Sequence, residues 1–213
     1  MLLLFKKLYE KRCKLSYSSD LTKSRIIDCA IQEFNDNGYT NANIRNIAKN
    51  AQVTTGAIYN HFESKEKLFK AIIGEVVDNL FDLYEELHHI YDDIENIKFV
   101  DFDALFDQTI GAILDYFYDN WVEIKLLFLS SAGSAYENFC DKLIAVEENS
   151  MIDILKMQGI TLDKTTLFFT HVISSASVEQ LVEVVRHNLT KTEAVAYMKK
   201  IQEFYSQGME KLF

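Results

Sequence analysis

Proline is absent from all 213 residues and glycine occurs only seven times. Nothing in such a chain breaks a helix from within. The turn residues that hairpin-rich folds need are scarce, which argues against a β-sandwich or barrel. Cysteine is down to three, Cys13, Cys29 and Cys140. Their number is odd and none pair in a CxxC spacing, so they read as reduced cytoplasmic thiols rather than a disulfide framework or a zinc site. Long apolar runs are missing too. None approaches the ~18 residues of a membrane span. The opening MLLLFKKLYEKRCK carries only Leu2–Phe5 ahead of Lys6, too short for a signal-peptide core. Gly-rich phosphate loops, nucleophile elbows and zinc motifs are absent.

What remains is 48% hydrophobic and 25% charged, the balance of a globular protein with a real core. The expected class is all-α. The net charge of −10 is unevenly spread. Residues 1–70 hold twelve Lys/Arg and seven Asp/Glu, giving +5, and residues 71–213 hold ten and twenty-five, giving −15. A basic end on an acidic body is the asymmetry of a nucleic-acid-binding module joined to a part that does not bind.

Apolar residues recur at helical spacing along most of the chain. Residues 1–17 are basic and loosely patterned, and either fray or extend the next helix. Ser18 or Ser19 can cap a first helix carrying Ile26, Ile27, Ala30, Ile31 and Phe34, which Gly38 ends. Asn43 can cap a short second helix with Ile44, Ile47, Ala48 and Ala51. After QVTT, Thr54 or Thr55 can cap a third with Ile58 and Phe62. Ser64 caps a long fourth helix running from Leu68 to Tyr84 and beyond. Past a polar stretch at 92–98, further helices are expected over 102–118, 121–129 and 135–157. Another, capped by Asp163 or a neighbouring Thr, runs to about 187. The last starts at Thr190, with Glu193 at capping-box spacing. Three divisions follow: a basic extension (1–17), a three-helix unit (18–66) and a helical body (67–213).

Helices of about eight residues are marginal alone. A short helix, a tight turn and a second short helix form the helix-turn-helix plan, whose second member enters the major groove. Ile58 and Phe62 would anchor that member, leaving Thr54, Thr55, Ala57, Tyr59, Asn60 and His61 outward. None of them is acidic.

The stretches AIQEFNDNGY, IRNIAKNAQVTTGAIYNHF and SKEKLF, across residues 26–73, resemble the DNA-binding domain of the tetracycline-repressor (TetR) family. The resemblance implies a homodimeric, ligand-responsive transcription regulator, a repressor more than an activator, released from a palindromic operator by a small effector. It implies that Thr55, Gly56, Ala57 and Asn60 approach bases. Tyr59, His61 and Lys65 would bond phosphates or support the recognition helix, and Arg45 would reach a phosphate or a base. The chain departs from the family pattern at Gln52, where glycine is common, and at Asn43, where Thr or Ser is. No cofactor is implied. The basic extension, with Lys6, Lys7, Lys11, Arg12 and Lys14, reads either as a DNA arm or as a leader.

The body supplies candidates for two further roles. The last two helices carry long apolar faces with nothing after them to cover those faces, so two copies would pack them together. Candidates are Phe168, Val172, Val178, Leu181, Val182, Val185, Met198, Ile201, Tyr205 and Met209. Candidate effector contacts are Phe81, Tyr84, Phe106, Tyr116, Phe117, Trp121, Phe128, Phe139, Phe168 and His171. His171 is the most informative polar residue in an apolar run, with Thr109, Ser174, Ser175, Glu179 and Gln180 behind it. A pocket of this kind suits a largely apolar molecule. The competing class is a di-iron bundle enzyme using Glu85 with His88 or Glu86 with His89. It lacks the second Glu-x-x-His that such a site needs.

Overall fold

The computed structural model describes the backbone of residues 2–89 and 102–212, and the side chains of residues 20–87, 109–205 and 207–208. The expected polar stretch at 92–98 lies outside the described residues. So do the side chains of Cys13, His88, His89, Phe106 and Met209, and of the five basic residues of the extension.

Nine helices and no strand occur among the described residues. They are α1 (Leu2–Asn41), α2 (Ile44–Asn50), α3 (Thr55–Phe62), α4 (Lys65–His89), α5 (Phe102–Asp119), α6 (Trp121–Ser130), α7 (Phe139–Met157), α8 (Lys164–Arg186) and α9 (Lys191–Leu212). The all-α class stands.

Most helix ends follow side chains that satisfy free backbone groups. Asn43 accepts the Arg45 amide at 2.9 Å and Thr54 accepts that of Ala57 at 3.1 Å. Ser64 does the same for Lys67 at 3.0 Å, and Asp163 for Thr166 at 2.8 Å. The Thr190 amide and hydroxyl both donate to Glu193, at 2.8 and 2.7 Å.

Two boundaries differ from expectation. The backbone is helical from Leu2, so Ser18 and Ser19 lie inside α1 rather than at its start. No proline or glycine precedes Gly38, so nothing in the local chemistry interrupts the helix. Gly38 itself turns to φ +69° and breaks the regular winding. The other difference is α7, which starts at Phe139 and not Ala135. Residues 131–138 instead form turns, with Gly133 at φ +84° and the Tyr136 amide held by Ser134 at 3.0 Å.

One continuous core joins the first four helices to the later ones. It runs from Ile26, Phe34, Ile47, Ile58 and Phe62 through Leu68 and Phe69 of α4 to Leu114, Phe117, Ile124, Leu181 and Val185. Helix α4 packs on α1 and α3 at one end and on α5, α6 and α7 further along; α7 pairs with α8, and α5 with α9. The short α2 and α3 persist because their apolar faces are buried in this core, which compensates for poor nucleation.

Gln52, in the turn between α2 and α3, sits at φ +53°. A Cβ is disfavoured in this left-handed region. Gln52→Gly should therefore stabilise the chain by roughly 0.5–1 kcal/mol, raising the thermal midpoint by about 1–4 °C. A fall in that midpoint would show that the glutamine side chain contributes more than its backbone strain costs.

Candidate nucleic-acid interface

Between the first turns of α2 and α3 lies an open cleft of about 450 Å³, lined by Asn41, Ala42, Asn43, Ile44, Arg45, Thr55 and Tyr59. Local chemistry builds it. Asn43 and Thr54 end their loops in extended backbone and turn their side chains onto helix amides. Buried Ile44, Ile47 and Ala48 fix the inner face of α2, and Ile58 and Phe62 fix that of α3. Arg45 and Tyr59 are thereby held outward, with Tyr59 47% exposed. Gly56 and Asn60 are exposed beside them, and Thr55, Ala57 and His61 are half-buried.

No aspartate or glutamate occurs between Asn37 and Phe62. A duplex groove is edged by phosphates, so this acid-free surface carries no repulsion towards it. A Cβ on Gly56 would meet only Thr54 Oγ1, at an ordinary 3.7 Å. The chain's own packing therefore does not require a glycine there.

Lys65 is placed differently from the other candidates. Its Nζ donates to the carbonyls of Thr40 at 3.2 Å and Ala42 at 2.9 Å, and lies 4.7 Å from the centre of the Tyr39 ring. Two of three ammonium hydrogens are thus taken by the elbow between α1 and α2. Burial lowers its pKa, and the nearby Glu33 carboxylate opposes that fall. Tyr39 is pushed up to about 12 by burial and by Glu66. Sequence reasoning missed Glu33. It is only 7% exposed, and its Oε1 accepts the Asn43 amide at 2.8 Å and the Asn46 side-chain amide at 3.3 Å. The signal was present: Glu33 occupies a core-face slot in the series Ile26, Ala30, Glu33, Phe34.

The effector candidates separate into groups. Phe81, Phe139, Phe128 and Phe117 form a chain of ring contacts, with centroids 6.4, 6.5 and 5.5 Å apart in turn. Trp121 stacks on Tyr118 at 4.8 Å. Tyr116 donates to the Val76 carbonyl at 2.9 Å. Tyr84 is buried and donates to Glu147 at 2.5 Å, and Ser177 reaches the same oxygen at 3.2 Å. Burial, and then Glu147, holds the Tyr84 hydroxyl well above the usual range.

Phe168 and His171 stand apart. Phe168 is 68% exposed, and the exposed His171 pairs with Glu148 at 3.1 Å. The expectation of a buried histidine is thus corrected. The buried polar residues of α8 are Thr170 and Ser174, which share a stripe with Val178, Leu181 and Val185. Ser175 bonds the His171 carbonyl, Glu179 pairs with Arg186, and Gln180 donates to Tyr205.

The same stripe corrects the dimer set. Val178, Leu181, Val182, Val185 and Met198 are at most 3% exposed within the single chain, so they have no area left for a partner. Phe168 and Val172 are exposed, while Ile201 and Tyr205 are half-buried.

Residues 26–72 match the family described as bacterial regulatory proteins, tetR family. The regulator UidR of Escherichia coli K12 is 37% identical over 81 residues, 38% of each chain. The match therefore spans well under half the length of that curated relative. The fold extends further. The TetR-family regulator PfmR from Thermus thermophilus aligns with a TM-score of 0.53 at 19% identity, over 81% of this chain and 94% of that one. Residues 26–72 belong to the tetR family of bacterial regulatory proteins, and most of the chain shares its fold with a solved TetR-family regulator. A second solved structure of similar fold is the transcriptional regulator FadR of Bacillus subtilis in complex with stearoyl-CoA. It has a TM-score of 0.53 at 16% identity, over 84% of this chain and 95% of that one.

These relatives are regulators by name, which gives the di-iron reading no support. Among the described residues, Glu85 is half-buried and Glu86 exposed, and no three His, Cys, Asp or Glu side chains cluster as metal ligands. No helix among them is long and apolar enough to cross a membrane.

Proposed function

We propose that this protein is a homodimeric transcription repressor of the TetR kind, which binds a palindromic operator and leaves it on binding a small, largely apolar effector. The observation that carries the DNA role is the acid-free cleft edged by Asn43, Arg45, Thr55 and Tyr59. Arg45, Tyr59 and His61 take phosphates. Thr54, Thr55, Gly56, Ala57 and Asn60 meet base edges or let the backbone approach them. Lys65 serves the same surface from below, by holding the elbow that carries Asn43.

Support for an effector site comes from the chain of phenylalanines in the body. The relative FadR was solved with stearoyl-CoA, an apolar chain on a polar head. Support for self-association comes from Leu167, Phe168, Val172 and Phe204, which leave a large apolar area uncovered. An effector that favours wrongly spaced recognition helices would lower operator affinity by its differential binding alone.

Selection of bound fragments from a random DNA pool tests this reading. A palindromic enriched sequence with half-sites about 34–36 Å apart is expected. On that sequence and on unrelated DNA alike, Tyr59→Ala should weaken binding about tenfold, whereas Asn60→Ala should change which bases are preferred. Equal affinity of wild type and Tyr59→Ala would sink the assignment.

A further inference from the structure

Glu33 presents a puzzle. It is a carboxylate in a core-face slot of α1, flanked by buried Ala30 and Phe34. Burying an acid costs several kcal/mol unless hydrogen bonds and opposite charge compensate, and a well-packed apolar residue is often no less stable in such a slot. Stability alone therefore does not explain the choice. What the acid does, and a leucine cannot, is fix directions.

Its Oε1 gathers the main-chain amide of Asn43 and the side-chain amide of Asn46. Asn43 is the cap of α2, and its own side chain is turned onto the Arg45 amide. From the other side, Lys65 of α4 grips the carbonyls of Thr40 and Ala42. The elbow at 40–43 is thus held by an acid from α1 and a base from α4. Both residues that the elbow presents, Asn43 and Arg45, line the cleft with Thr55 and Tyr59.

We propose that Glu33 is a positioning residue for DNA recognition: it touches no nucleic acid, and it locks the α1–α2 elbow so that Asn43 and Arg45 face the same duplex as the recognition helix. This inference rests on the DNA-binding reading above. It predicts a lesion in phosphate contact rather than a general loss of fold.

The experiment compares wild type, Glu33→Leu, Glu33→Gln and Asn46→Ala on the selected DNA between 50 and 200 mM salt, with circular dichroism to establish folding at the assay temperature. Loss of a charge-assisted hydrogen bond corresponds to at least about tenfold in affinity, so Glu33→Leu should bind about tenfold or more weakly. The slope of log affinity against log salt should fall by about one to two, because a displaced Arg45 in each protomer no longer neutralises its phosphate. Glu33→Gln keeps an oxygen that accepts the Asn43 amide, and should recover to within about threefold of wild type with the wild-type slope.

A purely structural Glu33 would lower the unfolding midpoint and leave affinity and slope of the folded protein unchanged. That result overturns the proposal. If Glu33→Leu does not fold, the combination of Glu33→Gln with Asn46→Ala decides. A tenfold loss with a reduced slope supports the lock, and wild-type binding overturns it. Wild type that binds no DNA at low salt overturns the reading of function itself. Wild-type binding with silent Glu33 variants overturns only this inference.

Discussion

Phe168→Glu should turn the protein into a monomer at micromolar concentration without unfolding it. Phe168 is 68% exposed in the single chain, Val172 45% and Phe204 72%. In α8, Phe168 and Val172 lie one turn apart on the face opposite the buried Thr170–Ser174–Val178 stripe. Further along that outer face come Glu179 and Arg186, which pair with each other at 2.7 Å. The apolar area is therefore concentrated on the first half of α8. Burying a phenylalanine contributes about 1.5–3 kcal/mol, and two-fold symmetry counts it twice. A carboxylate forced into the same contact without a partner adds a further penalty of a few kcal/mol. Together they exceed about 5 kcal/mol, or more than a thousandfold in the dimer dissociation constant. Sedimentation equilibrium over a range of concentrations measures this. A dimer as tight as wild type would show that another face mediates association.

The DNA consequence follows from the same lesion. Helices α2 and α3 are untouched, so each monomer should still recognise one half-site. What disappears is the linkage of two weak contacts, worth roughly 10²–10⁴ in affinity when the geometry allows both.

Where the sequence was readable, the information was local. Asn43, Thr54, Ser64, Asp163 and the Thr190–Glu193 box each act within three residues of themselves, so residue type and spacing suffice. The α2–α3 pair was legible for the same reason. Its apolar positions, its turn and its outward polar residues lie within 20 consecutive positions. The proposed dimer face was only half legible because α8 is apolar on both sides. Periodicity separates two stripes, yet it does not say which one meets the chain's own core. Buried Val182 and exposed Val172 are the same residue type in the same helix. His171 failed for a related reason, since it lies between the stripes and reaches Glu148 of α7. Glu33 and Thr40 were missed because their partners are set by tertiary approach: Thr40 meets Ala132, 92 positions away.

That last contact carries the second large prediction, the loss expected from Gly133→Ala. Gly133 lies at φ +84°, where an alanine costs about 1–2 kcal/mol. Its added Cβ would also stand 2.4 Å from Thr40 Oγ1, which real Cβ atoms do not tolerate. The hydroxyl must swing away, and it then loses its 2.7 Å bond to the Ala132 carbonyl, worth about 1 kcal/mol. The sum is about 2–3 kcal/mol, which lowers the thermal midpoint of a chain this size by about 4–12 °C.

The two contributions can be separated. In a Thr40→Ala background the clash is gone and the hydrogen bond already lost, so Gly133→Ala should cost only its backbone share. A coupling of about 1 kcal/mol between the sites is the expected result of the double-mutant cycle. Full additivity would mean that the loop yields before Thr40 does. The contact also joins the α1 end and the α4 start to the helices that follow. Gly133 donates to Glu137 at 3.0 Å and Ala135 to Glu66 of α4 at 3.2 Å, so the loop between α6 and α7 spans the α1 end and the α4 start. Lys65, next to Glu66, grips the elbow that carries Asn43. A loop displaced by one methyl group should therefore loosen the cleft between α2 and α3 as well as the body. Operator affinity of Gly133→Ala should then fall even at temperatures where the variant is fully folded.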